Sequence, residues 1–227
     1  MKLDLESFDS VRNFVVKLEE LFPNEPLDIL INNAGSMIHS RKVTGDGYEA
    51  MLQTNCLSTF LLTVLLIPKL KAASSPRIVS VSSSTSRLHT DILFDDLLAL
   101  KRYNIFYTYS HSKFALNVLM IELSKRLEGI ISINLCHPGA IKTKITRHLH
   151  PVIQTAHILL LGCFFKAPVH GAQTAIHLAV HPTIDRVTGN FFEHCQVSSA
   201  PIINEPAIKF FELAEKAVDV NVSDYLK

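Results

Sequence analysis

The amino-acid sequence predicts an α/β fold: a parallel sheet with helices packed on both faces. Two observations predict it. Short apolar runs of strand length alternate with long patterns of helical spacing, which calls for crossover connections rather than hairpins. The runs are apolar throughout rather than alternating, as expected of strands covered on both sides.

The first element is a helix. Val11, Phe14, Val15, Leu18 and Phe22 fall at helical spacing, and Ser7 is placed to cap it. Pro26 breaks the chain, and residues 27–31 form an apolar strand that stops at Asn32-Asn33. A long helical pattern covers about 47–71. Residues 77–81 read as a second buried strand running into serines, and 106–127 as a second long helix. A third strand, 130–135, ends at Pro138-Gly139. A helix over 169–180, a short strand over 190–193 and a last helix over 207–217 complete the order. Right-handed crossovers are expected throughout. In such sheets ligands lie beyond the carboxyl ends of the strands. The residues to inspect are therefore Asn32-Asn33-Ala34-Gly35, Ser82-Ser83-Ser84 and His137-Pro138-Gly139.

Length and composition restrict the function classes. The 227 residues suffice for one domain with a core, and 48% hydrophobic against 19% charged residues excludes a disordered chain. A net charge of +1 gives no electrostatic pull toward nucleic acid, and none is expected as a partner. Cys56, Cys136, Cys163 and Cys195 are scattered, with no C-x-x-C pair, which points to a reducing, cytoplasmic setting. The first residues hold no apolar signal core, and no apolar run is long enough to predict a membrane-spanning helix.

Tyr109 and Lys113 carry the first chemical suggestion. They are four apart on a predicted helix and share a face. A phenol near pKa 10 is a poor catalyst at neutral pH, but a nearby ammonium favours the phenolate. A phenol so tuned can exchange a proton with a carbonyl or hydroxyl oxygen while hydride moves at carbon. The pair alone is also a common chance spacing.

Context sharpens it. Asn32-Asn33-Ala34-Gly35 after one strand, Ser83 after the next, Tyr109-Ser110-His111-Ser112-Lys113 on the following helix and His137-Pro138-Gly139 after the next strand stand in one order. That order resembles the short-chain dehydrogenase/reductase superfamily. Lys2-Leu3-Asp4-Leu5, Asp46-Gly47-Tyr48-Glu49, Phe60-Leu61-Leu62-Thr63 and Gly171-Ala172-Gln173-Thr174 resemble its retinol dehydrogenase-like branch. The resemblance implies an oxidoreductase that interconverts a hydrophobic alcohol and its aldehyde or ketone with NAD or NADP. It implies Tyr109 as general acid/base, and Lys113 as the group that tunes it and binds the nicotinamide ribose. It implies Ser83, between the further candidates Ser82 and Ser84, as hydrogen-bond partner of the substrate oxygen. Asn55 matches the helix asparagine that holds a water in the proton path. Asn32, Ala34 and Gly35 match the segment beside the adenosine ribose, with Gly35 allowing close backbone approach. Asp4 matches the acidic residue at the adenine amino group, and Pro138, Gly139, Ile141 and Thr143 match the loop at the carboxamide.

The sequence departs from that pattern at its start. The family opens with a strand, a T-G-x-x-x-G-x-G turn and a helix that receives the pyrophosphate. No glycine precedes Gly35 here. The expected architecture is thus a partial doubly wound Rossmann-type parallel sheet, with the first strands and the glycine-rich turn missing. The strand over 27–31 would then be an apolar edge open to other chains. The alternative reading is a truncated, inactive family member that binds no nucleotide and acts through protein contacts. A smaller departure is Ser58, where the branch has glycine; its hydroxymethyl group is expected to crowd the cofactor side.

Other chemistries are weakly supported. His177 and His181 are four apart and His148 and His150 two apart, but no Glu or Cys pattern accompanies them, so no metal site is expected. The serine cluster lacks a G-x-S-x-G elbow. Residues 152–165 are strongly apolar and suit a lid over a lipid-like substrate, or a surface resting on a membrane such as that of the endoplasmic reticulum. Pairing through the long helices, as the family does, would make a homo-oligomer.

Overall fold

Among the described residues five strands form one sheet in the order β1 (Ile29–Asn32), β2 (Arg77–Val81), β3 (Ser132–His137), β4 (Phe191–Glu193) and β5 (Gln196–Ser198). The structure is a computed structural model and describes residues 1–101, 103–141, 166–199 and 206–226. β1 to β4 are parallel, with Ile29 opposite Arg77 and Arg77 opposite Ser132; β5 returns antiparallel to β4.

The strands alternate their side chains between two cores, as pleating requires. Ile78, Ile133, Leu135 and Phe191 enter the larger core, beneath α3 (Ser58–Leu65), α5 (Ile105–Arg126) and α7 (Pro206–Ala217). Their neighbours Val79, Cys136 and Phe192 enter a smaller core on the opposite face, closed by Leu178 and Ala179 of α6 (Pro168–Val180). Helices therefore cover both faces, as expected. The strand order never reverses, however, so the β3–α6–β4 crossover must be opposite in hand to those through α3 and α5. The expectation of uniform handedness fails at that step.

Local chemistry explains the helices. Ser7 Oγ accepts from Ser10 N and starts α1 (Phe8–Leu21), which buries Val11 and Val15. Asn104 Oδ1 accepts from both Phe106 N and Tyr107 N and starts α5. That helix is buried over most of its length because the sheet lies on one side and α3 and α7 on others. Phe211 of α7 meets Phe60 edge-on at 5.2 Å, and the Arg126 guanidinium lies 3.7 Å from the Phe211 ring centroid.

Four segments differ from the sequence-based expectation. The predicted helix over 47–71 is four pieces: α2 (Ala50–Leu52), a π-helical turn (Gln53–Leu57), α3, and α4 (Ile67–Lys71) with Pro68 in its first turn. Ser58 N bonds to Gln53 O in place of a four-residue partner, which re-aims the side chains of the turn. β1 begins two residues later than expected and lies at the sheet edge, where Ile31 is 44% exposed. β5 was not expected. Its turn, His194-Cys195, has both residues at positive φ (53° and 62°), a shape that usually advertises itself through Asn-Gly. The last short helix, α8 (Ser223–Leu226), was also unanticipated.

Among the described residues no helix is long and apolar enough to cross a membrane. The apolar segment 152–165 lies outside the described residues.

Candidate active site

The carboxyl ends of β1, β2 and β3 point the same way, and α5 sends a side chain to them. Lys113 reaches the end of β2. Its ammonium is almost fully buried and donates to the Val81 carbonyl at 2.9 Å. Burial lowers its pKa to about 8, since the interior disfavours the cation; the neighbouring Cys56 and Cys136 thiols act weakly in the other direction.

Ser83 lies two residues beyond the end of β2. It is buried, its Oγ accepts from Thr85 N at 3.2 Å, and it shares a hydrogen bond with Thr85 Oγ1 at 2.9 Å. The serine thus caps the short 3-10 helix Ser84–Leu88, which fixes its rotamer. Tyr109 is partly buried and lies within reach of the Ser83 hydroxyl. Burial pushes the Tyr109 phenol up to about 12, and interaction with Ser83 pulls only partly against that. Burial is thus the larger influence on the phenol, and the opposing pull comes from Ser83 rather than from the expected Lys113. Of the other serine candidates, Ser82 continues the ladder through its N–H to Cys136 O at 2.8 Å, and its buried Oγ has no partner among the described residues.

Asn55 sits in the π-helical turn, fully buried. Its Oδ1 accepts from Ser36 N at 2.7 Å, and its Nδ2 donates to Ser36 O and to Ser112 Oγ, both at 2.9 Å. Ser112 Oγ in turn donates to Tyr109 O at 2.7 Å. One amide therefore ties the exit of β1 to the helix turn bearing Tyr109. Gly35 is needed for this closeness. A Cβ there would stand 3.2 Å from Lys113 Nζ and 3.4 Å from Asn55 Oδ1. The constraint on Gly35 comes from these two side chains, a different reason from the one its position in the sequence suggested.

The remaining candidates scatter. Asn32 turns inward, its amide donating to Thr63 Oγ1 at 2.9 Å and Ser80 Oγ at 3.2 Å. Ala34 is exposed at the sheet's end. Asp4 is exposed, with Oδ1 accepting from Glu6 N at 3.0 Å. Ser58 is fully buried and its Oγ donates to Leu5 O at 2.7 Å, so it pins the N-terminal segment. Pro138 and Gly139 leave β3 in a turn that puts Gly139 at φ 88°. Ile141 bridges to Lys166, and its side chain fills the space a Cβ on Gly171 would take, which accounts for the glycine in Gly171-Ala172-Gln173-Thr174. Thr143 lies outside the described residues. Among the described residues no group of three His, Cys, Asp or Glu is placed to hold a metal ion.

Sequence reasoning missed Ser36 and Ser112. Ser112 carried a usable signal: it lies three residues after Tyr109, on the helix face turned toward Asn55. Ser36 contributes through its backbone, which leaves no trace in residue type.

The residues present fit one end of a nicotinamide dinucleotide. Two of the three Lys113 N–H donors have no partner among the described residues, although the ammonium is buried. A ribose diol would satisfy them. For the pyrophosphate, these 227 residues offer no glycine-rich turn.

Strands, helix order and this cluster together define a short-chain dehydrogenase scaffold, and sequence comparison agrees. The profile of the short chain dehydrogenase family matches residues 1–153, and the chain belongs to that family. Within it, the chain is 40% identical to retinol dehydrogenase 14 of Homo sapiens over 226 residues, covering 98% of this chain and 62% of the relative. It is 37% identical to retinol dehydrogenase 12 of Mus musculus, covering 86% and 60%. It is 35% identical to polyprenol dehydrogenase of Mus musculus, covering 84% and 58%. The chain thus spans about three fifths of the length of these relatives. Among solved structures, one from Mycobacterium paratuberculosis superposes with TM-score 0.70 at 25% identity, covering 98% of this chain and 76% of that one. The Pseudomonas aeruginosa RhlG/NADP active-site complex superposes with TM-score 0.63 at 28% identity, covering 85% and 73%.

Proposed function

We propose that this chain carries the proton-transfer machinery of an NAD(P)-dependent oxidoreductase acting on a hydrophobic alcohol or its carbonyl, in the manner of a retinol dehydrogenase. The observation that carries the reading is the meeting of Tyr109, Ser83 and Lys113 at the end of β2, with Asn55 bracing Tyr109's turn from behind. The similarity to retinol and polyprenol dehydrogenases supports a long apolar substrate.

A bound nicotinamide supplies or accepts the hydride. The protein's own residues handle the oxygen and its proton. Ser83 offers its hydroxyl to the substrate oxygen, held in place by its contacts with Thr85. Tyr109 gives its phenolic proton to that oxygen during carbonyl reduction and takes one back during alcohol oxidation. Lys113, desolvated and poised near neutrality, stabilises the phenolate that forms and binds ribose hydroxyls with its spare donors. The buried setting that raises the Tyr109 phenol keeps it protonated at rest, which suits an acid in the reductive direction.

The test is oxidation of a retinoid or polyprenoid alcohol, followed by formation of reduced nucleotide. Tyr109→Phe should lower kcat/KM by roughly 100- to 10,000-fold, the range of general acid–base catalysis. Unchanged turnover in that variant rejects the assignment. Nucleotide titration of the 227-residue protein separates this reading from that of an inactive chain.

A further inference from the structure

One small pocket lies behind the Asn55–Ser112 bond, between α2, α5 and the loop over 93–99; Glu49, Asp96, Tyr107, Thr108, His111 and Ser112 are its polar lining. Two of its side chains are incompletely bonded. Glu49 is fully buried and caps α2 through Oε2, which accepts from Leu52 N at 2.8 Å; its buried Oε1 has no partner among the described residues. Thr108 is buried, and its Oγ1 likewise has none. Two orphaned oxygens on one cavity are costly unless something bonds both. The space open to the centre of a water molecule is about 20 Å³. About 10–15 Å³ suffices for one water.

We propose that this pocket holds a single ordered water bridging Glu49 Oε1, Thr108 Oγ1 and Ser112 Oγ, and that Glu49 is thereby a positioning residue for Asn55. The hydrogen-bond count supports three partners. Ser112 Oγ gives its one proton to Tyr109 O and one lone pair to Asn55 Nδ2, which leaves a second lone pair free to accept. A neutral Glu49 donates from Oε1 to the water while Oε2 keeps its cap. The water then spans the two elements that bear Asn55 and Tyr109. The inference rests on the reading of those residues as parts of the site.

The charges around Glu49 set its protonation. Burial raises its pKa, while the amides of Leu52 and Met51 and the Arg41 guanidinium oppose this. His111 and Asp96 share the pocket, and the Tyr103 phenol is lifted to about 12, by burial first and by the Glu49 charge second. Ionising Glu49 turns Oε1 from donor to acceptor, so the water must reverse its bonds to Glu49 and Thr108, and the polarity felt by Ser112 and Asn55 changes with it.

Two measurements on the nucleotide-free 227-residue protein test this, and a failure of hydride transfer leaves both standing. A crystal structure that shows ordered water should place one molecule within hydrogen-bond distance of Glu49 Oε1 and Thr108 Oγ1; an empty cavity overturns the proposal. In a pH titration by NMR, the Asn55 side-chain amide should shift with a midpoint above the ordinary glutamate value. Glu49→Gln, which keeps the cap and the donor, should abolish that shift while leaving the amide at its low-pH position. An Asn55 amide that does not titrate in the wild type, or titrates equally in Glu49→Gln, overturns the positioning role.

Discussion

Lys113 Nζ donates to the carbonyl oxygen of Val81 at 2.9 Å, so a buried cation stands at the open end of β2 with one partner in place of three among the described residues. The arrangement suits a ligand and strains the free protein. In the fold the ammonium titrates near 8, against 10.5 for the ordinary side chain. The folded state therefore binds fewer protons than the unfolded state between those values, and stability rises with pH across that window. At neutral pH the full penalty applies. Lys113→Met should then stabilise the nucleotide-free protein by about 1 kcal/mol at neutral pH while abolishing turnover. Urea unfolding of both proteins checks the sign. A destabilised Lys113→Met would show that the Val81 bond outweighs desolvation.

Asn55 makes the opposite prediction. Its amide satisfies Ser36 N, Ser36 O and Ser112 Oγ in a fully buried place. Removing it strands those partners. Asn55→Leu should cost about 2–4 kcal/mol, at about 1 kcal/mol or more for each bond lost. Chemical denaturation measures it, and a cost below 1 kcal/mol would mean that water replaces the amide.

The sequence made some of this legible and hid the rest for physical reasons. Ser7 begins α1 through a side-chain cap that was read from residue type, whereas the same role of Asn104 at α5 was not anticipated. β2 runs over Arg77–Val81 as expected because its apolar run is bounded by Pro76 and by serines. The π-helical turn at Gln53–Leu57 was hidden, since the surrounding apolar residues fit a continuous helix equally well. The handedness of the β3–α6–β4 step was also hidden: spacing specifies a crossover and leaves open which face the helix takes. At the candidate site, Tyr109, Lys113 and Ser83 were singled out by type and order. The pocket at Glu49 was not, because a carboxyl in a polar tetrapeptide reads as solvated. Its burial depends on the loop over 93–99, whose residues carry no periodic pattern.

His111 supplies a pH prediction. Its Nε2 accepts from Leu93 N at 3.1 Å, which requires the neutral ring. Burial, reinforced by the nearby His89 and opposed by Asp96, draws its pKa down from 6.5 to about 4. The unfolded chain then takes up the proton first as pH falls. The stabilising contribution is complete above 6.5 and is lost progressively toward about 4. Stability measured across that range should fall in the wild type and fall less steeply in His111→Gln, whose amide oxygen can still accept from Leu93. Parallel curves would assign the acid sensitivity to other groups.

Two glycines give a matched pair. A Cβ on Gly171 would run into the Ile141 side chain, whereas one on Gly45 meets nothing within 4 Å and Gly45 has no positive φ. In Gly171→Ala, α6 must move away from the segment that follows β3, or Ile141 must leave its rotamer. Overpacking of this kind costs about 1–3 kcal/mol. Gly45→Ala removes freedom only from the unfolded chain and should be neutral or stabilising by about 0.4–1 kcal/mol. Melting temperatures of the two variants should therefore move in opposite directions, or only Gly171→Ala should move. The Gly171 effect also bears on the site. Ile141 follows the Pro138-Gly139 turn, so a displaced Ile141 should weaken nucleotide binding as well as stability. Loss of stability with unchanged nucleotide affinity would confine Ile141 to packing and remove it from the cofactor loop.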